Sequence, residues 1–323
     1  MNVNRNNSVW ITWENQIRNK SLSARLEADF HPIVYRGNAL FRYAICSVKT
    51  MKLLFKYRNG IVFVQNPSII LSLIAVLFSE VLRYTVIIDA HNAGVFPGNK
   101  LQAVANFINK KADYVIVTNQ GLADYICKLG GRPIILPDPL PDVSVKWEPK
   151  NIFTDIPLSS VMAICSWASD EPYLEIIKAA KFLPEIVFYI TGNSKGKESV
   201  YEGNLPPNLV ITGYISDEDY HNLLARCGII LDLTTREDCL VCGAYEAISA
   251  CKPIILSDTL ALKTYFGTEA VYVENDAISI ASGVKKIWAS YEEYSNRAVM
   301  NKSIIEKRWQ SAFRNFKDVL SIP

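Results

Sequence analysis

The sequence has no long hydrophobic run. Its longest apolar stretch, Ile69–Phe78, is closed by Glu80 and Arg83, whereas about 18 to 20 apolar residues are needed to cross a bilayer. No transmembrane helix is expected. The start, MNVNRNNSVW, carries no apolar core of signal-peptide length, which argues against export and for a cytoplasmic protein. Histidine is scarce, with 3 residues. Cys239 and Cys242 form one C-x-x-C with no second to match it, so small buried thiols are preferred to a zinc site. The 7 cysteines, an odd number spread through the chain, fit free thiols in a reducing compartment. No G-x-G-x-x-G follows any candidate strand, which leaves nicotinamide and flavin dehydrogenases without support. The stretch GNSKGKES at 192–199 is one residue too short between its glycines for a P-loop, and Glu198 stands where Ser or Thr is required. RNA- and DNA-binding motifs, solenoid repeats and low-complexity tracts are all missing, so nucleic acid is not an expected partner.

What is present is a globular composition. Of 323 residues, 50% are hydrophobic and 20% charged, enough for a sizeable core, and the length suggests two domains. The net charge of +2 hides an asymmetry: residues 1–150 carry 18 Lys and Arg against 10 Asp and Glu, and the remainder 16 against 22. A basic half favours an anionic partner. Twelve short apolar runs alternate with helix-length segments. They are Val9–Trp13, Phe30–Tyr35, Ile61–Gln65, Thr85–Asp89, Tyr114–Thr118 and Pro133–Leu136, then Ser160–Cys165, Ile186–Thr191, Leu209–Thr212, Ile229–Leu233, Pro253–Leu256 and Ala270–Val273. Near-continuous apolar strands belong in a parallel sheet buried on both faces. Two sets of six predict an α/β chain of two doubly wound, Rossmann-like domains. The Pro-rich stretch 136–157 is the expected seam, giving domains 1–150 and 151–300. Lys302–Leu320 reads as an amphipathic helix, with Ile305, Trp309, Phe313 and Phe316 on one stripe. Ser169 and Ser216, each ahead of an acidic turn, are expected N-caps.

The stretch LDLTTREDCLVCGAYEAISACKPIILSD, 231–258, is the richest in chemistry. A strand ends near Leu233, a loop carries Arg236 and Asp238, and a helix opens near Gly243. Ligands of open α/β sheets bind outside the carboxyl ends of the strands, where helix-start N–H groups can hold a pyrophosphate. Gly243 would let a ligand approach closely, Arg236 would add charge to the phosphates, and Glu246, one turn in, would accept from ribose hydroxyls. Gly192, at the end of the second strand of this half, is a further donor-side candidate.

Asp238-x7-Glu246, a small-residue helix and Lys252-Pro253-Ile254-Ile255 resemble the large retaining glycosyltransferase family of the two-domain GT-B fold. The resemblance implies two Rossmann-like domains facing a central cleft, the first on the acceptor side and the second binding the nucleotide sugar, with helix 301–323 packing back toward the first. It implies no cofactor and no catalytic metal. It gives the donor sugar to Asp238 and the ribose to Glu246. Gln65-Asn66-Pro67, Asp89-Ala-His91-Asn92, Ser166-Trp167-Ala-Ser-Asp170-Glu171 and Glu218-Asp219-Tyr220 resemble the eukaryotic β-mannosyltransferase that extends chitobiosyl-diphosphodolichol. On that likeness His91 touches the donor sugar, Ser166 and Trp167 are donor-side, and Asp89 is a candidate general base for an inverting reaction. The chain departs from the retaining family twice. Thr12–Asn19 holds no glycine, and Ser166–Glu171 replaces the usual Arg and Lys, so phosphate would rest on backbone donors and Arg236.

Residues 36–58 hold six basic and no acidic side chains, interleaved with aromatic and aliphatic ones. Such a helix can lie on an anionic membrane, bringing the site to a glycan or lipid-linked glycan acceptor; Trp13 and Arg18 are the acceptor-side candidates. The expected function is transfer of a hexose from a nucleoside-diphosphate sugar, in surface polysaccharide or glycolipid assembly. The rivals are a nucleotide-sugar 2-epimerase and a non-catalytic partner subunit.

Overall fold

A computed structural model of the chain describes residues 7–320 except positions 15, 36, 67, 99, 144–155, 202 and 204. The chain divides into two compact units, Met1–Asp138 with Trp309–Pro323, and Pro139–Arg308. Most of the stretch expected as the seam lies outside the described residues.

The first unit runs β1 (Ser8–Thr12), α1 (Ile17–Arg25), β2 (Asp29–Pro32), α2 (Ala39–Lys56), β3 (Ile61–Asn66), α3 (Ile69–Leu82), β4 (Thr85–Ala90), α4 (Asn92–Val95), α5 (Gln102–Lys111), β5 (Tyr114–Val117), α6 (Gln120–Lys128) and β6 (Pro133–Ile135). Its sheet has the order β2-β1-β3-β4-β5-β6, with every pairing parallel. The second unit runs β7 (Ser160–Ala163), α7 (Tyr173–Lys181), β8 (Val187–Thr191), α8 (Glu198–Tyr201), β9 (Leu209–Gly213), α9 (Asp217–Arg226), β10 (Ile229–Asp232), α10 (Cys242–Ser249), β11 (Ile254–Ser257), α11 (Leu260–Phe266), β12 (Val271–Val273) and α12 (Ala277–Ala289), then the start of α13 (Tyr291–Leu320), whose residues from Trp309 on belong to the first unit. Here the order is β12-β11-β10-β7-β8-β9, again all parallel. All twelve apolar runs are strands.

Alternation along each strand supplies a core on both faces of each sheet, because successive side chains point to opposite sides. Val9, Ile11, Val62 and Val64 fill one face of the first sheet, and Trp10, Ile61 and Phe63 fill the other. Trp309, Phe313 and Phe316 of α13 complete that second face, with Trp10 stacked on Phe63 at 5.2 Å. Helix α13 starts eleven residues before the expected Lys302, since Tyr294 already bonds back to the Ser290 carbonyl (3.1 Å) and Glu292 and Glu293 suit the first turn.

Ser216 caps α9, its Oγ accepting the Asp219 N–H at 3.1 Å. Ser169 does not cap a helix. Helix α7 begins at Tyr173 after Pro172, because the acidic residues following Ser169 turn back into the loop instead of entering the first turn.

Strand order locates one switch point per sheet. In the first unit the connections leave β1 in opposite directions, toward β2 and then β3; in the second they part between β7 and β10. The crevice at the carboxyl ends of such a strand pair is where this architecture binds ligands.

Candidate functional site

At the second unit's switch point the loop after β7 closes around its own carboxylate. Glu171 accepts the N–H of Ser166 at 2.9 Å and of Ala168 at 3.0 Å, the Ser166 hydroxyl at 2.9 Å and the Cys165 thiol at 3.2 Å. Trp167 sits between them at φ +64°, a left-handed conformation that costs a side chain about 1–2 kcal/mol. Its indole offsets that cost: it is 3% exposed, packs on Tyr173 and Tyr201, and donates to the Thr191 carbonyl at 2.9 Å. Successive N–H groups in such a turn form an anion-binding concavity, and here Glu171 fills it.

Across the switch point the loop after β10 is stitched to the same segment. Thr234 Oγ1 donates to Asp170 at 3.1 Å, the Thr235 N–H donates to the Asp170 carbonyl at 2.7 Å, and Arg236 Nε lies 3.1 Å from the Asp170 carboxylate. Asp232 ends β10, 6% exposed, and accepts the N–H groups of Gly243 and Ala244 at the start of α10. Burial, with the nearby charges of Glu171 and Glu246, pushes its carboxyl well above the usual carboxylate range; the two N–H groups offset this only in part. Glu246 is half-buried on α10 and accepts the hydroxyl of Tyr220 from α9. Burial raises the Glu246 carboxyl, while Tyr220 and His221 pull it back.

The first unit's switch point has a neutral polar floor. Gln65, at the end of β3, accepts Thr12 Oγ1 at 2.6 Å and Asn19 Nδ2 at 2.7 Å, and donates to Gln16. Beside it, at the end of β4, lies a buried ion pair. Arg18 donates through Nε and Nη2 to Asp89 (3.1 and 3.0 Å), through Nη1 to Asp138 (2.7 Å) and through Nη2 to the Leu136 carbonyl (3.0 Å). His91 Nε2 stands 3.5 Å from Asp89 Oδ2, the oxygen that Arg18 Nε also reaches. Burial alone would raise the Asp89 carboxyl, but Arg18 and His91 reverse it and hold it well below the usual range.

No protein-family model matches the sequence, and no curated protein matches it. Solved structures do match in fold. HepE of Anabaena, solved in complex with UDP and glucose, superposes with a TM-score of 0.73 at 13% identity, covering 97% of this chain and 91% of that one. Sucrose-phosphate synthase of Thermosynechococcus elongatus gives 0.73 at 14% identity, covering 90% and 81%. A glycosyltransferase of Rickettsia africae gives 0.68 at 12% identity, covering 97% and 90%. The fold is GT-B.

Within each GT-B unit the expected residues fall into two groups. Ser166, Arg236, Asp238 and Glu246 lie in the loops and helix at the second switch point, and His91 at the carboxyl edge of the first sheet. The other six are packed into the framework around the switch points. Trp167, expected on the donor side, is part of the hydrophobic core, its ring packed on Tyr173 and Tyr201. At Gly243 an added Cβ would lie 2.6 Å from the Asp232 carboxyl and 2.6 Å from Ile164, so the chain's own side chains approach the backbone closely there. Gly192 is required because its φ is +86° and a Cβ would lie 1.9 Å from the Cys165 carbonyl oxygen. Arg18 is 8% exposed and its guanidinium is bonded to Asp89 and Asp138. Asp89 is 1% exposed, held by Arg18, with His91 Nε2 3.5 Å away. Trp13 is half-buried and donates to Thr50 of α2 at 3.0 Å.

The N–H groups expected to hold a pyrophosphate are likewise given in part to Asp232 and Glu171. Sequence reasoning passed over Asp232, although a carboxylate closing an otherwise apolar strand was a visible signal. It placed Asp170 and Glu171 in the first turn of a helix and named no site role for them or for Tyr220, whose contacts depend on the folding of distant loops. Among the described residues no group of three or more His, Cys, Asp or Glu is arranged to hold a metal ion, and no helix is long and apolar enough to cross a membrane.

Proposed function

We propose that the chain is a glycosyltransferase moving a hexose from a nucleoside-diphosphate sugar to a glycan or polyprenyl-diphosphate-linked glycan, without a metal ion. The observation that carries this reading is Glu246: a half-buried carboxylate beside the switch point of the second sheet, held by Tyr220, in a fold shared with a protein solved with UDP and glucose. Glu246 accepts from the ribose hydroxyls, Asp238 contacts the donor sugar, and Arg236 together with remaining backbone N–H groups neutralises the leaving diphosphate; His91 is the first unit's candidate for a sugar contact. Closing the site against water favours transfer over hydrolysis.

The acceptor side includes an anionic membrane surface. Helix α2 exposes Leu40 (80%), Phe41 (65%), Val48 (56%) and Phe55 (56%) among Arg42, Lys49, Lys52 and Lys56, a pattern suited to lying on anionic lipid.

The test is thermal stabilisation by UDP, GDP, CMP and dTDP and their sugars. A ligand at a hundred times its dissociation constant adds about 2.7 kcal/mol of stability. Stabilisation by one nucleotide, lost in Glu246→Ala, with donor turnover lost in His91→Ala and Asp238→Asn, supports the reading. Turnover unchanged in all three variants refutes it.

A second reading, a transferase-like subunit that binds a partner enzyme and no donor, is favoured by one observation. Glu171, Asp232 and Asp170 already occupy donors expected to hold phosphate. It predicts no response to any nucleotide.

A further inference from the structure

Glu246 does not stand alone in its pocket. It comes from α10, and three elements carry titratable groups toward it or its partner: Tyr220 and His221 on α9, Asp232 at the end of β10, and Cys242 on α10 beside Tyr220. Glu171, after β7, acts on the same group of charges through Asp232. Two carboxyls, Asp232 and Glu246, therefore share a poorly solvated space. Asp232 is satisfied by backbone N–H groups. The Glu246 carboxylate has one hydroxyl partner, Tyr220 Oη on Oε2. That hydroxyl donates and so favours the ionised form of Glu246, the form that accepts from two ribose hydroxyls at once.

We propose that Tyr220 is a positioning residue for ribose recognition: by donating to Glu246 Oε2 it fixes the carboxylate and leaves Oε1 directed at the sugar hydroxyls. This rests on the reading of Glu246 given above and adds a determinant of specificity on a different helix. Tyr220 does not touch the donor. It sets which way, and in which charge state, Glu246 meets it. Tyr220 sits one residue before His221 and one turn into a helix whose start is pinned by the Ser216 cap, so its hydroxyl is held from a rigid element.

The pairing has a pH consequence of definite sign. Without the donated hydrogen bond, burial acts on Glu246 with less opposition and its carboxyl rises further, so binding that needs the ionised form is lost at a higher pH. His221 pulls in the same direction as Tyr220 when protonated, and Asp232 in the opposite direction when ionised.

The test is Tyr220→Phe, which removes one oxygen from the full-length chain and keeps the ring. Affinity is measured by calorimetry for UDP and GDP and for their 2′,3′-dideoxy analogues. The expected result is a loss of about ten- to a hundredfold for the ribonucleotide that binds, with the dideoxy analogue unaffected. The loss should deepen as pH falls from 8 to 6. Equal loss on both nucleotides, or none, overturns the proposal. The Glu246 carboxyl, followed by carbon NMR of the unliganded protein with Glu246→Gln as the assignment control, should titrate higher in Tyr220→Phe. If none of UDP, GDP, CMP, dTDP and their sugars binds the wild type, the donor reading of Glu246 fails and the proposed role in ribose recognition falls with it, whereas an unchanged carboxyl titration refutes the Tyr220 link itself.

Discussion

Replacing Arg18 with Gln strips the charge from a buried pair and leaves Asp89 behind. Asp89 is 1% exposed and its ion pair with Arg18 Nη2 is 3.0 Å long, with Arg18 only 6% exposed at the side chain. Removing one partner of such a pair costs about 3–5 kcal/mol, mostly because the remaining charge is uncompensated. In a unit of roughly 150 residues each kcal/mol moves the midpoint about 2–4 °C, so the first unit should melt about 6–20 °C lower. The pH dependence should change sign as well. In the wild type the folded Asp89 carboxyl lies below its unfolded value, so its contribution is complete above about pH 5 and is lost only as pH falls through the folded value. In the variant burial dominates and the folded carboxyl lies above its unfolded value, so stability falls as pH rises from about 4 upward. Calorimetry at pH 5 and pH 8, with hydrogen exchange of the β4 amides to place the loss in the first unit, reads both effects. The double variant Arg18→Gln/Asp89→Asn should recover more than half of the loss at pH 8. A loss below about 1 kcal/mol, or equal losses at the two pH values, would refute the buried-pair account.

Two further outcomes follow from the second unit. Asp232→Asn keeps an acceptor for the Gly243 and Ala244 N–H groups but cannot ionise. Because the Asp232 carboxyl is raised on folding, the wild type loses stability as pH climbs past the ordinary carboxylate range, and the stability of the variant minus that of the wild type should rise between pH 5 and 8 in chemical unfolding curves; a difference that stays flat or falls with rising pH contradicts this. Gly192→Ala places a Cβ against the Cys165 carbonyl at 1.9 Å in a left-handed conformation, and should destabilise by at least about 1–3 kcal/mol. Exchange rates of the 165–171 amides equal to those of the wild type would count against it.

The sequence by itself determined the elements. Each run such as Ile61–Gln65 or Ile229–Leu233 is apolar on both sides of the pleat, and only a parallel sheet covered on two faces buries such a strand. The Ser216 cap and the Ile305, Trp309 and Phe316 stripe were legible for the same reason, since they are satisfied within a turn or two of chain. Glu246 was legible because a strand, a loop and a small-residue helix put it one turn past the carboxyl edge. Tertiary structure alone decided what the polar groups meet there. Arg18 and Asp89 stand 71 positions apart, and Tyr220 and Glu246 stand 26 apart; their meeting depends on strand order. Ser169 carried a sound local cap signal, yet Glu171 gains more by turning onto the N–H groups of Ser166 and Ala168 than by entering a helix. At Gly243 the side chains that come close to the backbone are Asp232 and Ile164, which only the packing of β10 and the loop after β7 could bring there. Local patterns specify backbone because its hydrogen bonds close nearby, whereas a carboxylate in a crevice takes whichever donors the packing of distant loops brings to it.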